Sequence, residues 1–78
     1  MLKLYQTEWC PYCARVRAKI AELGAECEIV DVPRDKASRT ELIRISGQAG
    51  VPTLVTEDGL IIADDDDAII AYLEKNHR

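Results

Sequence analysis

Cys10-Pro11-Tyr12-Cys13 stands where a strand pattern gives way to a helix pattern, and this junction decides the fold. Before it, Leu2-Lys3-Leu4-Tyr5 alternates as a short first strand does. After it, Pro11 suits the first helical position, where no backbone N–H is required. Cys13, Val16, Ile20 and Leu23 then recur on one face at helical spacing, with Arg15, Lys19 and Glu22 on the other and Gly24 as the stop. Cys10 therefore falls at the N-cap, facing backbone N–H groups that have no intrahelical partner. Those groups and the positive end of the helix dipole favour a thiolate. A Cys-X-X-Cys pair at a helix start is a setting in which the first cysteine becomes reactive. Only the thiolate attacks disulfides, so Cys10 is the expected nucleophile. Cys13, one turn further in, is placed to resolve a mixed disulfide.

The remaining elements follow from the same local signals. Residues 27–32 read as a second strand ended by Pro33. Ser38-Arg39-Thr40-Glu41 fits a capping box for a second helix, with Asp35 as an alternative cap three residues earlier. Leu42 and Ile45 are expected to point inward, and Gly47 to end that helix. Thr53-Leu54-Val55-Thr56 and Leu60-Ile61-Ile62-Ala63 flank Asp58-Gly59, a hairpin signal. The last helix is expected from about Asp66 to Lys75, burying Ile69, Tyr72 and Leu73. The order is β-α-β-α-β-β-α, an α/β fold. A crossover helix makes the first two strands parallel. The hairpin completes a four-stranded mixed sheet, covered by three helices.

Composition narrows the function classes. Seventy-eight residues are read as one domain, 1–78, and 47% apolar content is that of a globular chain. No apolar run reaches the roughly 20 residues of a membrane span. Met1-Leu2-Lys3-Leu4-Tyr5 lacks the layout of a signal peptide, so a cytoplasmic protein is expected, with no membrane partner. A net charge of −4 and few aromatic residues (Tyr5, Trp9, Tyr12, Tyr72) argue against nucleic acid. Three cysteines are too few and too unevenly spaced for a secreted disulfide scaffold. Zinc would need two ligands beyond Cys10 and Cys13. Only Cys27 and His77 remain, and they are not spaced as a ligand pair, so no metal site is expected. Cys27 reads as a small buried hydrophobe on the second strand.

Cys10-Pro11-Tyr12-Cys13 after a first strand, with Ser46-Gly47-Gln48-Ala49-Gly50-Val51-Pro52 before the hairpin, resembles a glutaredoxin over nearly the whole chain. The resemblance implies the thioredoxin fold and a thiol–disulfide oxidoreductase without a tightly bound cofactor. It also implies glutathione as co-substrate, disulfide-containing or glutathionylated proteins as partners, and a monomer. It further implies a cis Val51–Pro52 bond beside Cys10, leaving the Val51 backbone to pair with a peptide-like thiol. Gln48 matches a contact to the glycine carboxylate of glutathione, and Tyr12 a residue half-exposed over the dithiol. In the acidic run Asp64-Asp65-Asp66-Asp67, Asp66 and Asp67 match the family's D-D at the γ-glutamyl end. The Glu-Ser of glutathione-transferase N-terminal domains would instead match Asp65 and Asp66; helix capping alone is the other reading of these aspartates.

The chain departs from the family at three places: Ala63-Asp64 replaces G-G, Gly50 replaces the Thr of T-V-P, and Thr7 replaces a basic residue. Arg34, Arg44 and Arg15 are the cations that could compensate. Tyr5, Thr7, Trp9, Cys10, Tyr12 and Cys13 also resemble mycoredoxins, which use mycothiol. The redoxins that serve ribonucleotide reductase fit less well, because their W-S-G-F-x-P segment has no match. An iron–sulfur cluster-binding glutaredoxin module is a further alternative, against which Pro11 argues.

Overall fold

The computed structural model describes residues 1–77. Its elements run β1 (Leu2–Gln6), α1 (Pro11–Leu23), β2 (Cys27–Asp31), a 3-10 turn (Lys36–Ser38), α2 (Thr40–Ser46), β3 (Thr53–Val55), β4 (Ile61–Ala63) and α3 (Asp66–Asn76). The sheet order is β2-β1-β3-β4, with β1 and β2 parallel and the other two pairings antiparallel. This is the mixed α/β arrangement expected from the sequence.

Strand alternation sorts the helices onto two faces. Leu2 and Leu4 of β1 join Leu54 of β3 in a buried cluster with Val16 and Ile20 of α1 and Ile69 and Leu73 of α3. Lys3 and Tyr5 point the other way and reach Glu41 of α2. Lys19 ties the paired helices on the first face by bridging Glu22 at 3.2 Å and Glu74 at 3.0 Å. Truncating a buried leucine of this cluster to alanine would cost about 2–5 kcal/mol.

Several boundaries differ from the sequence reading. The capping box does not form: Ser38 closes the 3-10 turn under Asp35, and α2 starts two residues later after Arg39, without a side-chain cap. Glu41 is drawn away because it accepts the Tyr5 hydroxyl from the sheet. β2 stops at Asp31, although the Val32 N–H still bonds Gln6 O at 3.0 Å. The hairpin strands lose their outer residues because Thr56 and Leu60 bond each other across the Asp58-Gly59 turn. Ile45, Tyr72 and Cys27 are half-buried rather than buried.

Candidate active site

Register brings four loops to one edge of the sheet. Gln6 lies opposite Asp31, so the segments after β1 and β2 leave together. Tyr5 lies opposite Thr53, which sets Val51-Pro52, just before β3, at that same edge. The Asp64 N–H donates to Pro52 O at 2.9 Å, adding the start of α3. In open α/β sheets, the carboxyl ends of parallel strands are where ligands bind.

Cys10 is the N-cap of α1, with extended backbone (φ −82°, ψ 120°) and no side-chain cap bond. Its carbonyl accepts the first helical bond, from the Ala14 N–H at 3.0 Å. The sulfur-bearing residue is partly exposed, whereas Cys13 is fully buried. Burial pushes the Cys13 thiol up to about 11. The Thr7 N–H and hydroxyl act against that rise, and the hydrogen bond from Cys13 to Cys10 adds to it. Burial therefore keeps the Cys13 thiol protonated near neutral pH. Trp9 and Tyr12, on either side of Cys10 in the chain, are 56% and 58% exposed. Cys27 is remote from this chemistry: it pairs with Leu2 at the opposite end of β1, and burial raises its thiol to about 11. His77 packs against Tyr72, with ring centroids 6.0 Å apart.

The Val51–Pro52 peptide bond is cis. Among the described residues, the Val51 N–H and C=O make no backbone hydrogen bond. Gln48 turns inward. Its Nε2 donates to Ser46 Oγ at 2.8 Å and Thr53 Oγ1 at 3.2 Å, while its Oε1 accepts the Gly50 N–H at 2.5 Å. In this arrangement its amide shapes the loop before Pro52.

The four aspartates divide their roles. Asp64 adopts a positive φ of 54°, uncommon outside glycine, and its carboxylate rests on Gly50. Asp65 caps α3 through the Ala68 N–H at 3.1 Å, as capping alone would have it. Asp66 and Asp67 both pair with Arg15 of α1, the latter at 3.0 Å.

Three further residues of this edge support the site without being candidate ligands. Thr7 is almost fully buried, against Cys13. Arg17 reaches from α1 to the Gln6 side chain and to Thr7 O at 3.2 Å, bracing the segment that leads to Cys10. Arg39, only 6% exposed, donates to Pro33 O at 2.7 Å, Ala49 O at 2.8 Å and Arg34 O at 3.3 Å. It joins the segment after β2 to the segment before Pro52. A polar residue following an alternating strand hints at Thr7, but the arginines are visible only once the loops are brought together.

Comparisons with known proteins agree with this geometry. The glutaredoxin family profile matches residues 2–61. An uncharacterized glutaredoxin-like 8.6 kDa protein of the rubredoxin operon of Clostridium pasteurianum is 28% identical over 75 residues, 96% of this chain and 100% of that one. Glutaredoxin 3 of Escherichia coli K12 is 32% identical over 53 residues, 68% of this chain and 64% of that one. Among solved structures, glutathione S-transferase isozyme E7 of Drosophila melanogaster superposes with a TM-score of 0.83 and 34% identity. That superposition covers 99% of this chain but only 35% of the transferase. The chain thus spans about a third of the transferase it matches. With the profile covering both cysteines, the cis-proline segment and the hairpin turn, the chain belongs to the glutaredoxin family.

Proposed function

We propose that the protein is a glutathione-dependent thiol–disulfide oxidoreductase whose nucleophile is Cys10. The observation that carries this reading is the asymmetry of the pair: a partly exposed Cys10 at a helix N-cap, and a buried Cys13 whose thiol burial raises to about 11. Family membership supports thiol–disulfide exchange in general.

In the proposed cycle, the Cys10 thiolate attacks the glutathione sulfur of a mixed disulfide and expels the protein thiolate, which takes up a proton. A second glutathione thiolate then attacks that same glutathione sulfur, forming oxidised glutathione and restoring the Cys10 thiolate. With a protein disulfide, Cys13 gives up its proton and attacks Cys10. That step expels the substrate thiolate and leaves a Cys10–Cys13 disulfide, which two glutathione molecules reduce. Tyr12 and the Val51-Pro52 backbone are the proposed walls of the glutathione site, with Asp65 and Asp66 at the far end. Asp65 is already engaged as a cap and Asp66 with Arg15, so a ligand would share these groups. Gln48 would act through the loop it braces.

The test is a turnover assay on a glutathionylated peptide, with electrons from glutathione, mycothiol, or thioredoxin reductase. The proposal expects turnover with glutathione and its reductase. Turnover with mycothiol alone, or with thioredoxin reductase alone, would overturn the glutathione assignment.

A further inference from the structure

We infer that Arg34, stacked on Trp9 beside the cysteine pair, is a specificity-determining residue that selects disulfides carrying a carboxylate close to the reacting sulfur. The inference rests on the proposed role of Cys10.

The Arg34 guanidinium lies 4.4 Å from the centroid of the Trp9 ring, within the range of a cation–π contact. Trp9 immediately precedes Cys10, so the contact ties a cation to the segment that carries the nucleophile. A guanidinium over a ring still has N–H donors to spare, and these match a carboxylate in bidentate fashion. The ring also shelters one face of the ion from water, which weakens screening on that side.

Three other arginines near this edge are committed. Arg15 is held by Asp66 and Asp67, and Arg17 by Gln6 and Thr7 O. Arg39 is buried on three carbonyls. Arg34 is exposed and has no carboxylate partner among the described residues. Its backbone is nevertheless fixed, because Arg39 donates to Arg34 O and Ala49 O together. The stack is therefore held in register with the segment before Pro52.

The surroundings sharpen the consequence. The chain carries a net charge of −4, and Asp64 to Asp67 cluster at the start of α3. Glu8 adjoins Trp9, but its carboxylate accepts the Gln6 amide at 2.9 Å. An anionic substrate meets repulsion on the α3 side and attraction at Arg34. A carboxylate on the substrate is thereby directed to the Trp9 side of Cys10.

The experiment is single-turnover oxidation of the reduced protein, followed by the fluorescence of Trp9, the sole tryptophan. Three symmetrical disulfides carry carboxylate, hydroxyl or ammonium ends: dithiodipropionate, hydroxyethyl disulfide and cystamine. In each, Cys10 displaces one thiolate and Cys13 then displaces Cys10's new partner as a second thiolate, so the dithiol's two electrons reduce one disulfide. The wild type should react fastest with the carboxylate compound. Arg34→Gln should slow that reaction by about fivefold, the scale of an exposed ion pair, and leave the hydroxyl compound unchanged. Arg34→Lys should retain part of the preference, and molar salt should erase it. Two peptide disulfides, with Glu or Gln beside the cysteine, separate the sources. A Glu preference lost in Arg34→Gln assigns a protein acid, and a preference confined to dithiodipropionate assigns a small thiol. An unchanged carboxylate-to-hydroxyl ratio in Arg34→Gln would overturn the inference alone. Failure of the wild type to reduce any of these disulfides would overturn the dithiol reading and this inference with it.

Discussion

Replacing Gly50 with alanine tests how the loop before the cis-proline is packed. A Cβ there would lie 2.5 Å from Asp64 Cγ, 2.6 Å from Asp64 Oδ2 and 2.7 Å from Gln48 Oε1. Either neighbour must shift to make room. The Asp64 backbone is held by its N–H on Pro52 O, which leaves its short side chain a single torsion by which to move, and the Gln48 amide is held by Ser46 and Thr53. Overpacking of this kind costs about 1–3 kcal/mol. Restricting the unfolded chain returns about 0.4–1 kcal/mol. The net expectation for Gly50→Ala is a loss of about 1–2 kcal/mol. In the Asp64→Gly background two of the three close atoms are gone, so at least about 1 kcal/mol of that cost should vanish as coupling between the sites. Urea denaturation of the four proteins of the cycle, all reduced, measures it. Equal costs of Gly50→Ala in both backgrounds would refute the steric pairing of Gly50 with Asp64.

Limiting iodoacetamide near neutral pH, mapped by mass spectrometry, should label Cys10 before Cys13 and Cys27, whose thiols burial raises to about 11. Preferential labelling of either raised thiol contradicts the assignment. Stability should fall on the alkaline side. Burial raises Cys13 and Cys27, and burial with the bond to Glu41 raises Tyr5 to about 12. The unfolded chain releases these protons first, from about pH 8.5 to 10, so their contribution is whole below that range and is lost as pH climbs to about 12. A melting temperature of the reduced protein that stays level from neutral pH to pH 12 would contradict this. Arg39→Met should cost about 1–3 kcal/mol, since it strips donors from partly buried hydrogen bonds to carbonyls of two loops. A melting temperature unchanged by that substitution would show that the loops hold without it.

The parts of the fold legible in the sequence are those set by local rules. Pro11 and Gly24 bracket α1, and Asp58-Gly59 marks the hairpin, because each acts through its own backbone. The cysteine pair was legible for the same reason, since the strand-to-helix junction alone puts Cys10 at an N-cap. What failed depends on partners distant in the chain. Glu41 fits a capping box locally, yet Tyr5, 36 residues away, takes its carboxylate. The pairing of Asp66 with Arg15, 51 residues away, is likewise invisible until α1 and α3 come together. Gly50 and Asp64 read as two separate departures from the family pattern. In space they are one exchange, in which the carboxylate occupies the room a side chain at residue 50 would need.

The central claim, that Cys10 alone performs the first exchange and Cys13 serves only to resolve it, is tested most directly by two variants on a glutathionylated peptide. Glutathione and its reductase are supplied in excess, and peptide release is followed. Attack on a mixed disulfide needs one thiolate, and a second glutathione frees it, so Cys13→Ser should keep most of the wild-type rate. Cys10→Ser should be inactive, because Cys13 is buried and retains its proton. An inactive Cys13→Ser variant, or an active Cys10→Ser variant, would contradict the account.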